Sequence, residues 1–274
     1  MRRLALKGFT LIELIMVIVI VGILATMTTD IITLPVKSYI DLERRTTLVD
    51  TAEMALRRMQ RDIRRALPNS IRINPAGTSL ELLHTTGGGR YRAYLASGDS
   101  GNVLDFTAFD SSFDVLGSLS SIPSGELVIY NLDSVSTGTS SDPNAYDGDN
   151  RATIDNSSTV DSIVLTTAKL FPFTSPQQRF FIVDTPITYQ CSDGNLRRYD
   201  NSIDSGYTIG GSITGLSSKL QAKAALLSCT FSYDAGTATR GGLVTIEITL
   251  TDHVDIDVGE SAKLIHQVHV DNMP

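Results

Sequence analysis

Cysteine is scarce in this chain, with two residues in 274, and neither has the surroundings of a metal site. Cys191 and Cys229 form no C-x-x-C pair and no paired-histidine motif accompanies them, so zinc, with His253 or His266 as further ligands, is the less supported use. His266 and His269 fall three apart on a strand predicted for Lys263 to Val270, face opposite ways and cannot share a metal. A nucleophile elbow, a phosphate-binding loop and an H-E-x-x-H pair are all missing. No enzymatic activity and no cofactor are expected. Basic residues are outnumbered, 23 against 30 acidic, and such a surface does not invite nucleic acid. Charge of either sign is missing altogether between Leu14 and Ala25.

That uncharged tract organises the chain. A basic leader, Met1 to Gly8, carries Arg2, Arg3 and Lys7 and no acid, and Phe9 to Met27 then supplies nearly the number of apolar residues that a bilayer core requires of a helix, about 20. A secretory signal peptide would have a shorter apolar core and a small-residue cleavage site, and no A-x-A followed by a polar start occurs. Positive charge ahead of the run keeps residues 1–8 cytoplasmic and sends the remainder across the membrane. Glu13 interrupts this pattern, because an unpaired carboxylate in an apolar segment costs at least a few kcal/mol. Either it stays wet in the first helical turn, favoured by the helix dipole, or its partner is a positive group on a neighbouring subunit.

The segment Gly8-Phe9-Thr10-Leu11-Ile12-Glu13 resembles the class III leader of type IV pilins and type II secretion pseudopilins. The resemblance implies cleavage between Gly8 and Phe9 by a prepilin peptidase/methyltransferase, N-methylation of Phe9, and pairing of Glu13 with the N-terminal amine of an adjacent subunit. It further implies other major and minor pilins and an inner-membrane assembly platform as partners. A bacterial inner-membrane location with a periplasmic head follows, then a place in a pilus or pseudopilus at the cell surface. Gly8 also suits a protease subsite that a side chain would crowd, against ordinary linker flexibility.

Loss of the leader leaves 20 basic against 30 acidic residues, net −10. Asp41 to Arg65 holds seven arginines and five acids, whereas the chain from Ala66 onward has a net charge of −11. Basic stem and acidic head suggest attraction between subunits; a solvated helix face with local i,i+4 pairs is the plainer alternative. Leu48, Ala52, Ala55, Leu56, Met59, Ile63, Ala66 and Leu67 recur at helical spacing along one face, and Pro68-Asn69 closes the pattern. The expected helix runs from about Phe9 to Leu67, about 90 Å at 1.5 Å per residue. It should bend near Pro35, which removes a backbone bond. Major pilins of the resembled family often carry their proline further upstream, about where Asp30 stands here.

The head, 68–274, reads as short strands: Ser79 to His84, Tyr91 to Leu95, Glu126 to Leu132, Gln178 to Asp184, Leu196 to Tyr199, Cys229 to Tyr233 and, most clearly, Leu243 to Leu250 with its strict alternation. Gly87-Gly88-Gly89 and Ser192-Asp193-Gly194-Asn195 are turn signals. Residues 133–159 are almost all small and polar and predict an exposed loop. Its acids Asp142, Asp147, Asp149 and Asp155 suggest calcium, but the spacing departs from the EF-hand pattern. Because the cysteines fall on the oxidising side of the membrane, Cys191 and Cys229 are expected to form a disulfide. Closing a loop of about 38 residues restricts the unfolded chain by roughly 4 kcal/mol.

The expected fold is therefore α+β and pilin-like, a long N-terminal helix packed on a mainly antiparallel head. Its parts are a leader (1–8), a membrane and filament-core half-helix (9–34), an amphipathic periplasmic half-helix (35–67) and the β-rich head. Downstream, RDIRRALPNSIRI (61–73), FFIVDTPITYQC (180–191), TATRGGLVTIEITL and the ending HQVHVDNMP look like the minor pilins of mannose-sensitive haemagglutinin (MSHA) pilus biogenesis, the MshO kind. The shape is also similar to the J-type pseudopilins. A low-abundance subunit that primes or caps a filament is what this implies; the alternative is an anchored adhesin or binding module, with the polar loop or Tyr-rich strands as its site.

Overall fold

The computed structural model describes residues 8–121, 123–134, 142–200, 209, 217–236, 241–253 and 259–274. The leader residues 1–7 and part of the polar tract, 135–141, lie outside the described residues. The chain divides into two units, Met1–Thr47 and Leu48–Pro274.

Helix α1, Leu11–Arg64, begins in the first unit and supplies the N-terminal helix of the second; Pro35 lies within it and does not end it. In the first unit the described side chains are exposed on every side, apolar ones included. In the second, Leu48, Ala52, Ala55, Leu56, Met59 and Ile63 are buried, the stripe expected from their spacing. Helical geometry stops at Arg64, short of the expected Leu67. The reason is competition from a strand: Leu67 N–H donates to Leu83 O (2.8 Å), and Arg65 O accepts Thr85 N–H (2.8 Å). The Arg65 carbonyl would otherwise be an orphan at the helix end.

The strands that follow are β1 (Arg72–Ile73), β2 (Ser79–Arg90), β3 (Asp110–Asp114), β4 (Glu126–Val128), β5 (Arg151–Thr153), β6 (Ser162–Lys169), β7 (Arg179–Ser192), β8 (Asn195–Asp200), β9 (Ser218–Lys223), β10 (Leu226–Asp234), β11 (Gly242–Thr251) and β12 (Ser261–Val270). A seven-stranded sheet runs β1-β2-β7-β4-β5, with β8 and β9 joined beside β7. A three-stranded sheet runs β10-β11-β12, and β3 pairs with β6. Every strand pairing is antiparallel.

The helix stripe shares one core with Leu80 and Leu82 of β2, Ile187 and Tyr189 of β7, and the inward row Val244, Ile246, Ile248 and Leu250 of β11. Full burial of each such side chain contributes about 1.5–3 kcal/mol. A second core gathers Tyr91, Phe113, Leu127, Ile163, Phe171 and Phe180. Tyr91, Phe106, Phe113, Phe171 and Phe180 form an aromatic chain with centroids 5.4–6.4 Å apart.

Three local expectations need correction. Gly87-Gly88-Gly89 is not a turn but the continuation of β2, paired with Ile182, Phe181 and Phe180. The space is already taken, since a Cβ on Gly89 would lie 2.9 Å from the Phe180 ring. Tyr91 to Leu95 forms no strand beyond a single bridge, Tyr91 to Val115. Its N–H is committed to Gln178 O (2.8 Å) and the ring fills the second core. The polar tract 133–159 is not simply an exposed loop: it contains β5 and buries Ala145, Ala152 and Ile154. Tyr146 docks it, donating its hydroxyl to Ser70 O (3.0 Å) while the Arg72 guanidinium lies 3.8 Å over its ring. That arginine is fixed by Glu81, which is 1% exposed and also accepts the Thr188 hydroxyl (2.7 Å).

Candidate functional site: the N-terminal segment and the head clamp

Gly8 and Phe9 precede the helix and stand in the open; Phe9 is 74% exposed, and nothing lies within 4 Å of a Cβ built on Gly8. The bond Gly8–Phe9 is therefore sterically accessible. Thr10 caps the helix. Its Oγ1 accepts the Glu13 N–H (3.3 Å), and Glu13 Oε2 accepts from Thr10 N–H (3.5 Å) and Thr10 Oγ1 (3.4 Å). This reciprocal capping box satisfies two of the orphan donors of a helix start. The T-x-x-E signature was legible in Thr10-Leu11-Ile12-Glu13 and escaped the reading of Glu13 as a bare first-turn carboxylate. Its carboxylate bonds are at the long limit, so Glu13 is oriented by the cap without being consumed by it.

Beyond the cap, Leu11, Ile12, Leu14 to Val21, Ile23, Leu24 and Met27 are all large apolar side chains at 45–78% exposure. A helix apolar all round is normally covered by lipid or by other helices. Among the described residues no helix is long and apolar enough to cross a membrane. Leu11 to Met27 amounts to 17 residues.

In the head, Cys191 of β7 and Cys229 of β10 form the expected disulfide, with Cα atoms 5.9 Å apart. It ties the β7–β8 hairpin of the larger sheet to the smaller sheet and leaves no thiolate for zinc. Asp193 (φ 50°) and Gly194 (φ 70°) make the hairpin turn. His266 and His269 fall on opposite faces of β12, the former half-buried, the latter exposed.

Two of the acids weighed for calcium, Asp149 and Asp155, accept hydrogen bonds within their own loops. Asp149 Oδ1 accepts Asn144 N–H (2.8 Å), and Asp155 Oδ1 accepts both Ser157 N–H (2.9 Å) and its hydroxyl (2.6 Å). Those Ser157 bonds, the hydroxyl first, hold the Asp155 carboxyl below its ordinary value. Among the described residues no cluster of three metal-ligating side chains occurs.

A connection not anticipated from sequence joins α1 to the sheet. Asp62 Oδ2 accepts the Tyr189 hydroxyl (2.7 Å) and Arg198 Nε–H (2.8 Å), and Arg198 also bonds Asp200. Asp62 falls within the arginine-rich stem, where charge pattern alone gave no reason to single it out.

Residues 6–29 match the family model for the prokaryotic N-terminal methylation motif. The match contains Gly8, Phe9 and Glu13 and supports a type IV pilin-like or pseudopilin chain. No curated protein and no solved structure matches the chain.

Proposed function

We propose that this chain is a non-catalytic minor pilin that takes part in assembling, priming or capping a type IV pilus of the MSHA kind. The observation that carries the proposal is the N-terminal methylation motif over residues 6–29, which includes a helix start preceded by the exposed Gly8 and Phe9. In this reading a prepilin peptidase cuts after Gly8 and methylates the new Phe9 amine. The apolar segment from Phe9 onward anchors the chain in the inner membrane and later packs with the helices of major and minor pilins. The head is periplasmic.

The capping geometry of Glu13 is consistent with this reading. Its backbone N–H is held by the Thr10 cap while its carboxylate makes only long bonds, so a neighbouring subunit's amine can replace them at little cost. A charge-assisted bond in an apolar surrounding is roughly twice as strong as a neutral one. The assignment to an MSHA-type system rests on the downstream segments 61–73, 180–191, 237–250 and 266–274, and the disulfide suits an oxidising periplasm.

Mass spectrometry of the mature N-terminus, in cells with and without the prepilin peptidase, tests the reading. Methylated Phe9 that disappears without the peptidase is expected. An intact leader in both strains would refute it and favour a simple signal-anchored binding module. Deletion should abolish piliation, and subunits distributed uniformly along purified pili would rule out a priming or capping role. Normal pili with defective secretion would reassign the chain to a type II pseudopilus.

A further inference from the structure

Strand β2 has a gap along its outer side. β1 covers Leu80 and Glu81, Arg65 O takes the Thr85 N–H, and Leu116 N–H donates to Arg90 O (2.8 Å). From Thr86 to Gly89 no strand pairs with that side among the described residues. Two cavities, of about 610 and 500 Å³, are both lined by Thr86 and Gly87. Open space therefore adjoins the gap.

The larger cavity is cationic. Arg64, Arg65 and Arg179 line it against one acid, Asp271. His84, also in the lining, is engaged with Asp184 (3.0 Å). Arg179 reaches Met273 O (3.3 Å), whereas the guanidiniums of Arg64 and Arg65 have no hydrogen bond or ion pair among the described residues. Thr85 Oγ1 is buried there without a partner. Pro68, Phe181 and Met273 give the cavity apolar walls.

An unpaired edge is a template for another strand. A small anion would satisfy the arginines and leave the edge unpaired; an added strand bearing carboxylates would satisfy both. We propose that the outer edge of β2 from Thr86 to Gly89 docks an extended acidic segment of a partner protein, taken up as an added strand with its carboxylates against Arg64 and Arg65. This surface lies wholly within the second unit, and the proposal stands whether or not Phe9 is processed.

The test uses the full-length protein in detergent micelles and a fluorescein-labelled hexapeptide of alternating valine and glutamate, followed by anisotropy. Saturable binding is expected, about tenfold weaker for the valine–glutamine peptide and about tenfold weaker for the Arg64→Gln, Arg65→Gln double variant. Arg57→Gln, on the same helix but paired with Glu53 (2.8 Å), should bind as wild type. Both double-variant side chains are exposed, so its melting temperature should match wild type, separating lost binding from lost folding. N-methylating alternate peptide amides, in each of the two possible sets, should abolish binding in one set. Equal binding by the glutamine peptide, or no effect of the arginine substitutions, would overturn the proposal. Undiminished binding by both N-methylated sets, with displacement by inorganic phosphate, would mean an anion site only and would overturn it too.

Discussion

Asp62→Ala should loosen the helix from the head. Asp62 and Arg198 retain only 17% and 15% side-chain exposure, and the Tyr189 ring is fully buried, so the substitution leaves a phenol and a guanidinium without the acceptor they share. A hydrogen bond to a charged group is worth about 1.5–3 kcal/mol. Arg198 keeps Asp200 and some water, which places each loss near the lower limit and the total at about 3 kcal/mol. Asp62→Asn keeps the shape and one acceptor and should cost about half as much. Urea unfolding of the full-length protein in detergent, followed by circular dichroism, measures both. Paired with Tyr189→Phe in a double-mutant cycle, Asp62→Ala should give a coupling energy of about 1–2 kcal/mol. The latch also has a pH signature. Burial, and then the Asp62 carboxylate, push the Tyr189 phenol above its ordinary value. A phenol raised on folding stabilises the fold fully below its unfolded pKa of about 10, and that contribution is lost as pH rises past it. Tyr189→Phe should remove its share of the alkaline decline. A loss below about 1 kcal/mol for Asp62→Ala, strictly additive with Tyr189→Phe, would refute the reasoning and leave the helix held chiefly by its apolar stripe.

Reducing the Cys191–Cys229 bond should lower stability by roughly 4 kcal/mol for its separation of 38 residues, read as the shift in urea midpoint with and without reductant; coincident curves would contradict it. Met59, fully buried under the sheets, should cost about 2–5 kcal/mol when replaced by alanine, against almost nothing for the exposed Met54. Gly194→Ala should destabilise the β7–β8 hairpin by about 1–2 kcal/mol, because φ is +70° and the new Cβ would meet Ala224 O at 2.9 Å; a thermal melt matching wild type would count against this. Burial raises the Asp184 carboxyl, but the His84 ring and the Thr185 N–H outweigh it and hold it below its ordinary value. Its stabilising contribution is therefore present above about pH 4 and lost as pH falls through the lower folded value. Asp184→Asn should flatten the acid limb of the urea midpoint against pH.

The sequence by itself determined features that depend on neighbours along the chain. The spacing from Leu48 to Ile63 fixed which helix face is buried, the alternation in Leu243 to Leu250 fixed the inward row of β11, and Asp193-Gly194 fixed a turn. The leader pattern around Gly8, Phe9 and Glu13 is likewise local, as is the Thr10–Glu13 cap. With two cysteines, pairing had one solution once the compartment was inferred. Tertiary structure decided the remainder, where a segment's conformation is chosen by a distant partner. Gly87-Gly88-Gly89 has turn chemistry but is held extended by β7, whose Phe180 fills the volume where side chains would sit. Pro186 is tolerated inside β7 because it stands opposite Leu83, whose N–H and C=O turn away to Ser70 and Leu67, so β2 asks no donor of it. The helix yields its last turn to the edge of β2, and Tyr146 draws part of a polar tract onto Arg72. Asp62 becomes a latch only because Tyr189 and Arg198, 127 and 136 residues away, arrive beside it. No local pattern encodes such a meeting, since the free energy that selects it is released only when the core closes.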